Sequence, residues 1–232
     1  MIGGLALAGG AAIGAIAMSQ AAPINTADKA AIERVVRDYI LEHPEILPEA
    51  IARLEQRNGA QAVAANRSAI ETPFVGAWEG AADADVTLVE FFDYACGYCR
   101  AALPDVQRLL REDPKLRVVY RELPVLGPAS EAAAGVSLAA AKQGRYVQFH
   151  RALFAGGRLD AGSVAKAARD AGVDPAFGQS AKARAEIASN LDLQTKLRLA
   201  GTPSWVVGDT VLSGAVGYEA LKKAIADARA KS

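Results

Sequence analysis

Val86-Thr-Leu-Val-Glu-Phe-Phe-Asp-Tyr-Ala-Cys-Gly-Tyr-Cys-Arg100 is the stretch on which the fold turns. Its first seven residues are an apolar run of strand length, the pattern of a strand buried on both faces. The only two cysteines of the 232-residue chain follow at Cys96 and Cys99. A helix then runs to about Arg111, with Leu103, Val106, Leu109 and Leu110 as its apolar side. Pro104 inside it predicts a kink. A disulfide closing so short a loop restricts the unfolded chain by only about 2 kcal/mol, against about 3 for a 15-residue loop. Stabilisation is therefore a poor reason for the pair, and cycling between dithiol and disulfide is a better one.

Downstream, Leu116–Arg121 reads as a second strand. Five helix-like segments follow: Ser130–Lys142, Arg145–Ala155, Ala161–Ala171, Pro175–Ala188 and Leu191–Leu199. Strands return at Trp205–Val207 and Thr210–Ser213, joined by the hairpin signal Gly208-Asp209. Tyr218–Ala230 closes the chain as an amphipathic helix. The order is strand, helix, strand, long helical insert, hairpin, helix.

Upstream, Ala27–Asn58 reads as one broken or two successive amphipathic helices. Ile32, Val35, Val36, Tyr39, Ile40 and His43 recur at helical spacing. Pro44 breaks the register, and Ile46, Leu47, Ile51 and Leu54 continue the stripe. Asn58-Gly59 is a stop signal, and Ala-rich Gly59–Glu71 reads as a helical extension or linker. Two accounts fit the stripe: it packs on the main domain, or it packs on its copies in other chains. The first 27 residues carry no charged side chain. Ile2–Met18 followed by Ser19-Gln20-Ala21-Ala22-Pro23 suits a secretory signal, residues 1–22, exported to a periplasmic or other oxidising compartment. No Lys or Arg precedes the apolar run, so a membrane anchor over residues 2–18 is the alternative.

Twenty-six basic residues balance 26 acidic ones, and no Lys/Arg run is interleaved with aromatics. Nucleic acid is therefore not an expected partner. Haem attachment needs His directly after the second Cys, where Arg100 stands. Structural zinc needs four ligands, and His43 and His150 are far away in sequence. Two thiolates could hold Cu(I), a rival reading as a copper-binding module linked to copper tolerance.

In the redox reading Cys96 opens the helix, where free N–H groups and the dipole favour thiolate. Cys99, one turn on, is the more buried sulfur and resolves the mixed disulfide. Gly97 and Tyr98 set the redox poise. Glu90, in an otherwise apolar strand, is either a proton acceptor or donor for Cys99 or an edge residue reaching water. Gly201-Thr202-Pro203 precedes a strand, and an ordinary trans-Pro turn is the default there.

The strand ending Glu-Phe-Phe-Asp-Tyr, the Cys-Gly-Tyr-Cys, the helical insert and the late Gly-Thr-Pro resemble the DsbA-type thiol-disulfide oxidoreductases of the thioredoxin superfamily. The likeness covers about Thr72–Ser232. Residues 32–47 resemble the N-terminal extension of the ScsC-like (suppressor of copper sensitivity) branch. The resemblance implies an α/β thioredoxin fold over residues 72–232, with a helical insert at about 123–200 and a helical arm and linker over 23–71. It implies Cys96 as nucleophile, Cys99 as resolving thiol and Glu90 as the buried acid. It also implies a cis Thr202-Pro203 peptide whose backbone pairs with an extended substrate beside Gly97 and Tyr98. No metal or organic cofactor is implied beyond the redox-active Cys96–Cys99 disulfide. The expected partners are exported proteins bearing thiols or disulfides, a membrane redox partner and further copies of the chain through residues 27–58. Where DsbA has His, this chain has Tyr98, which fits the ScsC-like branch and a less oxidising couple.

Overall fold

The computed structural model describes residues 26–231, so the expected signal or anchor lies outside the described residues. Among the described residues two compact units separate, one ending at Ala50 and one starting at Ile51. In the first, helix α1 (Thr26–Glu42) ends at His43-Pro44, and α2 (Ile46–Glu71) begins. Pro44 cannot continue a helix from its own N–H, which accounts for the break. Ile32, Val35, Val36 and Tyr39 on α1 are exposed.

The second unit is built on a five-stranded sheet of order β1-β3-β2-β4-β5. The strands are β1 (Trp78–Gly80), β2 (Val86–Phe92), β3 (Leu116–Glu122), β4 (Ser204–Val207) and β5 (Thr210–Ser213). β2 and β3 are parallel, with Glu90 opposite Tyr120, and α3 (Gly97–Glu112) supplies their crossover. β2 also pairs antiparallel with β4, with Glu90 opposite Trp205. Gly208 turns the β4–β5 hairpin at φ 54°, a backbone region open to Gly at little cost.

Between β3 and β4 lies the helical insert: α4 (Pro128–Lys142), α5 (Tyr146–Ala155), α6 (Ala161–Ala171), a 3₁₀ turn (Pro175–Gln179) and α7 (Ala181–Leu197). Helix α8 (Tyr218–Arg229) closes the chain. This is the α/β thioredoxin arrangement with a helical insert that the sequence implies.

Alternation along β2 divides the core. Leu88 and Phe92 face α3, α8 and the first insert helices with Val118, Tyr120 and Trp205. Val89 and Phe91 face the other way, packing with Val119, Leu193, Leu197, Val63 and Ile70. Each fully buried Phe contributes about 1.5–3 kcal/mol.

Three expectations change. Asn58-Gly59 does not stop a helix, since α2 runs through it to Glu71. Glycine costs a helix interior about 1 kcal/mol, but Val63 and Ile70 beyond it are fully buried against the sheet, and that burial outweighs the stop signal. Helix α7 is one helix across the expected gap at 189–190, and the polar Asn190 within it is buried, its side chain donating to the Glu122 carbonyl at 3.0 Å. Strand β1, three residues long, has too short an apolar signal to be read from sequence. Helix α3 remains continuous through Pro104.

Candidate active site

Three pieces of chain meet at the cysteine pair: the β2–α3 turn, the loop before β4, and the centre of β2. Cys96 is the N-cap of α3, with extended backbone and no side-chain cap of its own. Its thiol donates to the Thr202 carbonyl at 3.2 Å, across 106 residues of sequence. Cys96 is 6% exposed, less open than a helix-start position suggests, and Cys99 is 1% exposed. Gly97 and Tyr98 between them are exposed, Tyr98 to 70%. The pair is a dithiol in this structure.

The Thr202–Pro203 peptide is cis. Three hydrogen bonds hold its loop: Ser204 Oγ donates to Gly201 O at 2.6 Å, Gly214 N to Pro203 O at 2.8 Å, and Trp205 Nε1 to Gly214 O at 2.9 Å. The Trp205 indole, wholly buried, anchors the strand that carries the Pro.

Glu90 sits at the middle of β2, flanked by β3 and β4, so it is not an edge residue reaching water. It is 3% exposed. Burial, and secondarily the charge on Cys96, push its carboxyl up to about 8. Burial also pushes the Cys99 thiol far up, and the Glu90 carboxylate adds to the effect. An H-bond from the Asp93 backbone works in the opposite direction. Both groups therefore favour their protonated forms, and each responds to charge on the other site members. Among the described residues no group of three or more His, Cys, Asp or Glu is arranged to hold a metal ion.

Several participants have weak or no sequence signal. Asp93 is 1% exposed, and its carboxylate accepts from Ala95 N at 2.7 Å, Leu126 N at 3.0 Å and Ser130 Oγ at 2.6 Å. An Asp two residues before a turn amide is an Asx-turn signal, and it was available. Arg100 donates to Phe154 O at 3.0 Å and to Gly157 O. The Tyr94 hydroxyl lies 2.8 Å from Ser137 Oγ and 3.1 Å from His150 Nδ1. His150 is boxed by Phe92, Tyr120, Tyr146 and Phe154, and burial lowers its pKa to about 3, so it is neutral. No sequence pattern links Arg100 to 154–157 or Tyr94 to His150.

Residues 87–226 match the DSBA-like thioredoxin domain family, and residues 28–61 match the copper resistance protein ScsC N-terminal domain. A linker-deleted mutant of Proteus mirabilis ScsC is 28% identical with a TM-score of 0.74, over 92% of this chain and 100% of that one. A thioredoxin-like oxidoreductase from Silicibacter pomeroyi is 40% identical with a TM-score of 0.68, over 72% and 99%. A periplasmic thioredoxin-like protein from Salmonella enterica serovar Typhimurium is 26% identical with a TM-score of 0.67, over 71% and 95%. A Na(+)/H(+) antiporter NhaA 1 from Salinispora arenicola is 33% identical over 156 residues, 64% of this chain. The chain spans about a quarter of the length of the curated relatives it matches, 24%. The chain belongs to the DSBA-like thioredoxin domain family. No helix among the described residues is long and apolar enough to cross a membrane.

Proposed function

Starting from that membership, we propose that the protein is a thiol-disulfide oxidoreductase that forms or isomerises disulfides in exported proteins. The observation that carries this is the Cys96 thiol at the start of α3, 3.2 Å from the Thr202 carbonyl, with Cys99 and Glu90 buried behind it. Thiol-disulfide exchange needs one sulfur that substrate can reach and a second that resolves the mixed disulfide. Cys96, beside the exposed Gly97 and Tyr98, takes the first role, and the more deeply buried Cys99 takes the second.

In the oxidising direction a substrate thiolate attacks Cys96 of the disulfide. The S–S bond breaks, a substrate–Cys96 disulfide forms, and the electron pair leaves on Cys99. Cys99 strongly favours its thiol form, and Glu90, protonated at neutral pH, supplies the proton. A second substrate thiolate then attacks the mixed disulfide at the substrate sulfur, releasing oxidised substrate and the Cys96 thiolate. In the isomerising direction the Cys96 thiolate attacks a substrate disulfide. If Cys99 must rescue a stalled complex, it attacks Cys96, the Cys96–Cys99 disulfide re-forms, and the proton Cys99 gives up goes to the departing substrate sulfur, since Glu90 is already protonated. The Thr202-Pro203 backbone is the ledge along which an extended substrate pairs.

Export rests on the uncharged run at 2–18 and its small-residue ending, and is supported by likeness to a periplasmic protein. A membrane redox partner would restore the working oxidation state. The exposed stripe of α1 and early α2 is the surface through which copies assemble.

The test is refolding of reduced and of scrambled ribonuclease by wild type and Cys96→Ser, each with and without a copper chelator. Wild type accelerates recovery in both conditions and Cys96→Ser in neither. Wild type that fails once copper is chelated overturns the enzyme reading in favour of copper binding.

A further inference from the structure

Resting on the oxidoreductase reading above, we propose that Asp93 and Arg100 are positioning residues that clamp both ends of the cysteine turn to the helical insert. The clamp sets how readily the two sulfurs join. The insert is then a frame for the redox pair as well as a cover for the sheet.

The two residues flank the tetrapeptide, one three positions before Cys96 and the other directly after Cys99. Asp93 works from both its backbone and its side chain. Its carbonyl accepts from Cys96 N at 3.0 Å, which fixes the start of the turn. Its carboxylate reaches the start of the insert, accepting from Leu126 N and Ser130 Oγ. A buried carboxylate is tolerated only where donors satisfy it, and here three do.

Arg100 holds the other end. Its backbone N–H donates to Cys96 O at 3.2 Å, so it stands one helical turn above that cysteine. Its guanidinium donates to the Phe154 and Gly157 carbonyls, at and just past the C-terminus of α5. Carbonyls at a helix end lack intrahelical partners, and a two-pronged donor fits them. A cation in the first turn of α3 opposes that helix's own dipole. Helix stability therefore gives no reason for Arg100, and the contacts with α5 do. Between the clamps, Tyr94 braces the turn against Ser137 of α4 and His150 of α5.

The consequence lies in the equilibrium between dithiol and disulfide. Measured against glutathione, that equilibrium constant is the effective concentration of one protein thiol at the other. A turn held at both ends keeps the sulfurs within reach, and a loosened turn spreads them over more conformations. Releasing either clamp therefore shifts the pair toward dithiol.

The experiment equilibrates the full chain in glutathione buffers and quantifies the oxidised fraction by alkylation and mass spectrometry, with circular dichroism confirming the fold. Asp93→Asn and Arg100→Gln each lower the equilibrium constant about fivefold to tenfold, tenfold being about 30 mV in the two-electron couple. Arg100→Lys, which keeps the charge but loses the fork, falls between wild type and Arg100→Gln. If either main variant does not fold, Ser130→Ala and Arg100→Lys decide by the same criterion, since each removes a single bond to the insert. Folded variants within twofold of wild type overturn the proposal. So does a shift toward disulfide, which would mean that the clamp strains the disulfide. A wild-type pair that never interconverts with glutathione is a different result: it overturns the oxidoreductase reading beneath.

Discussion

Replacing Glu90 with Gln removes one ionisable proton from the centre of the sheet and leaves the side chain's shape nearly unchanged. The carboxyl sits at about 8 in the folded chain against an ordinary 4.5. In the unfolded chain it ionises above 4.5, while in the folded chain it stays neutral until about 8. The folded state thus binds more protons over this interval, and stability falls as pH rises. The contribution is fully present below pH 4.5, declines through the interval and is exhausted above about 8. Each pH unit in mid-interval costs about 1.4 kcal/mol, so between pH 5 and pH 7 wild type loses about 2–3 kcal/mol that Glu90→Gln keeps. The fixed cost of burying an amide cancels when the two pH values are compared. Urea unfolding of both proteins at pH 5, 6 and 7, with the pair reduced, reads the difference directly. Burial is the main cause of the shift and the Cys96 charge the second. Parallel curves for the two reduced proteins would refute the reasoning and remove Glu90 as the proton source.

Cys99→Ser leaves Cys96 without its resolving thiol, so mixed disulfides with a disulfide-bearing substrate such as scrambled ribonuclease accumulate as Cys96 attacks and expels one substrate sulfur, visible by non-reducing electrophoresis; none forming would contradict the roles assigned to the two sulfurs. Ile70→Ala empties a fully buried site beneath β3 and should cost about 2–5 kcal/mol in denaturant unfolding. A loss under about 1 kcal/mol would mean that the end of α2 does not pack as described. A chain starting at Ile51 should show fewer subunits by light scattering than one starting at Pro23, and an unchanged subunit count would remove the arm's proposed role. That cut is better placed than one at residue 71, which would strip Val63 and Ile70 from the core and take away the Ala69 and Ile70 carbonyls that Arg121 holds.

The elements whose pattern repeats within a few residues were legible. The apolar run of β2, the turn chemistry of Gly208-Asp209 and most insert helices needed no tertiary information, and the cysteine spacing located the site. What escaped depends on partners distant in sequence. Asn58-Gly59 carries a stop signal locally, yet Gly59, Val63 and Ile70 fall on one face of a helix that the sheet covers. A Cβ on Gly59 would meet Val211 at an ordinary 3.7 Å, so no close approach forces Gly there. Arg121 would be placed at the surface by composition, but it is 4% exposed and pairs with Glu186 at 2.7 Å. Glu122 beside it is equally buried, with Tyr146 donating to it at 3.4 Å. Charged residues with such partners have no sequence signature, because the partner is one residue among many on another helix.

Glu90 and Glu122 show why residue type alone could not assign the proton relay. Both are glutamates on strands, both are buried, and burial raises the pKa of both. Of the two, only Glu90 has a cysteine, Cys96, among the groups that shift it, and only Glu90 contributes to the shift at Cys99. Glu122 answers instead to Ser137, Asp93, Tyr146 and Glu186, the polar groups that join the insert to the sheet. The division follows from strand position. Parallel pairing sets Glu90 beside Tyr120 in mid-sheet, behind the α3 turn, and sets Glu122 at the end of β3, where the insert begins. One carboxyl therefore answers to the cysteine pair and the other to the polar groups between the insert and the sheet. Glu122→Gln should accordingly leave the wild-type pattern of proton uptake at Cys99 in place, whereas Glu90→Gln should not.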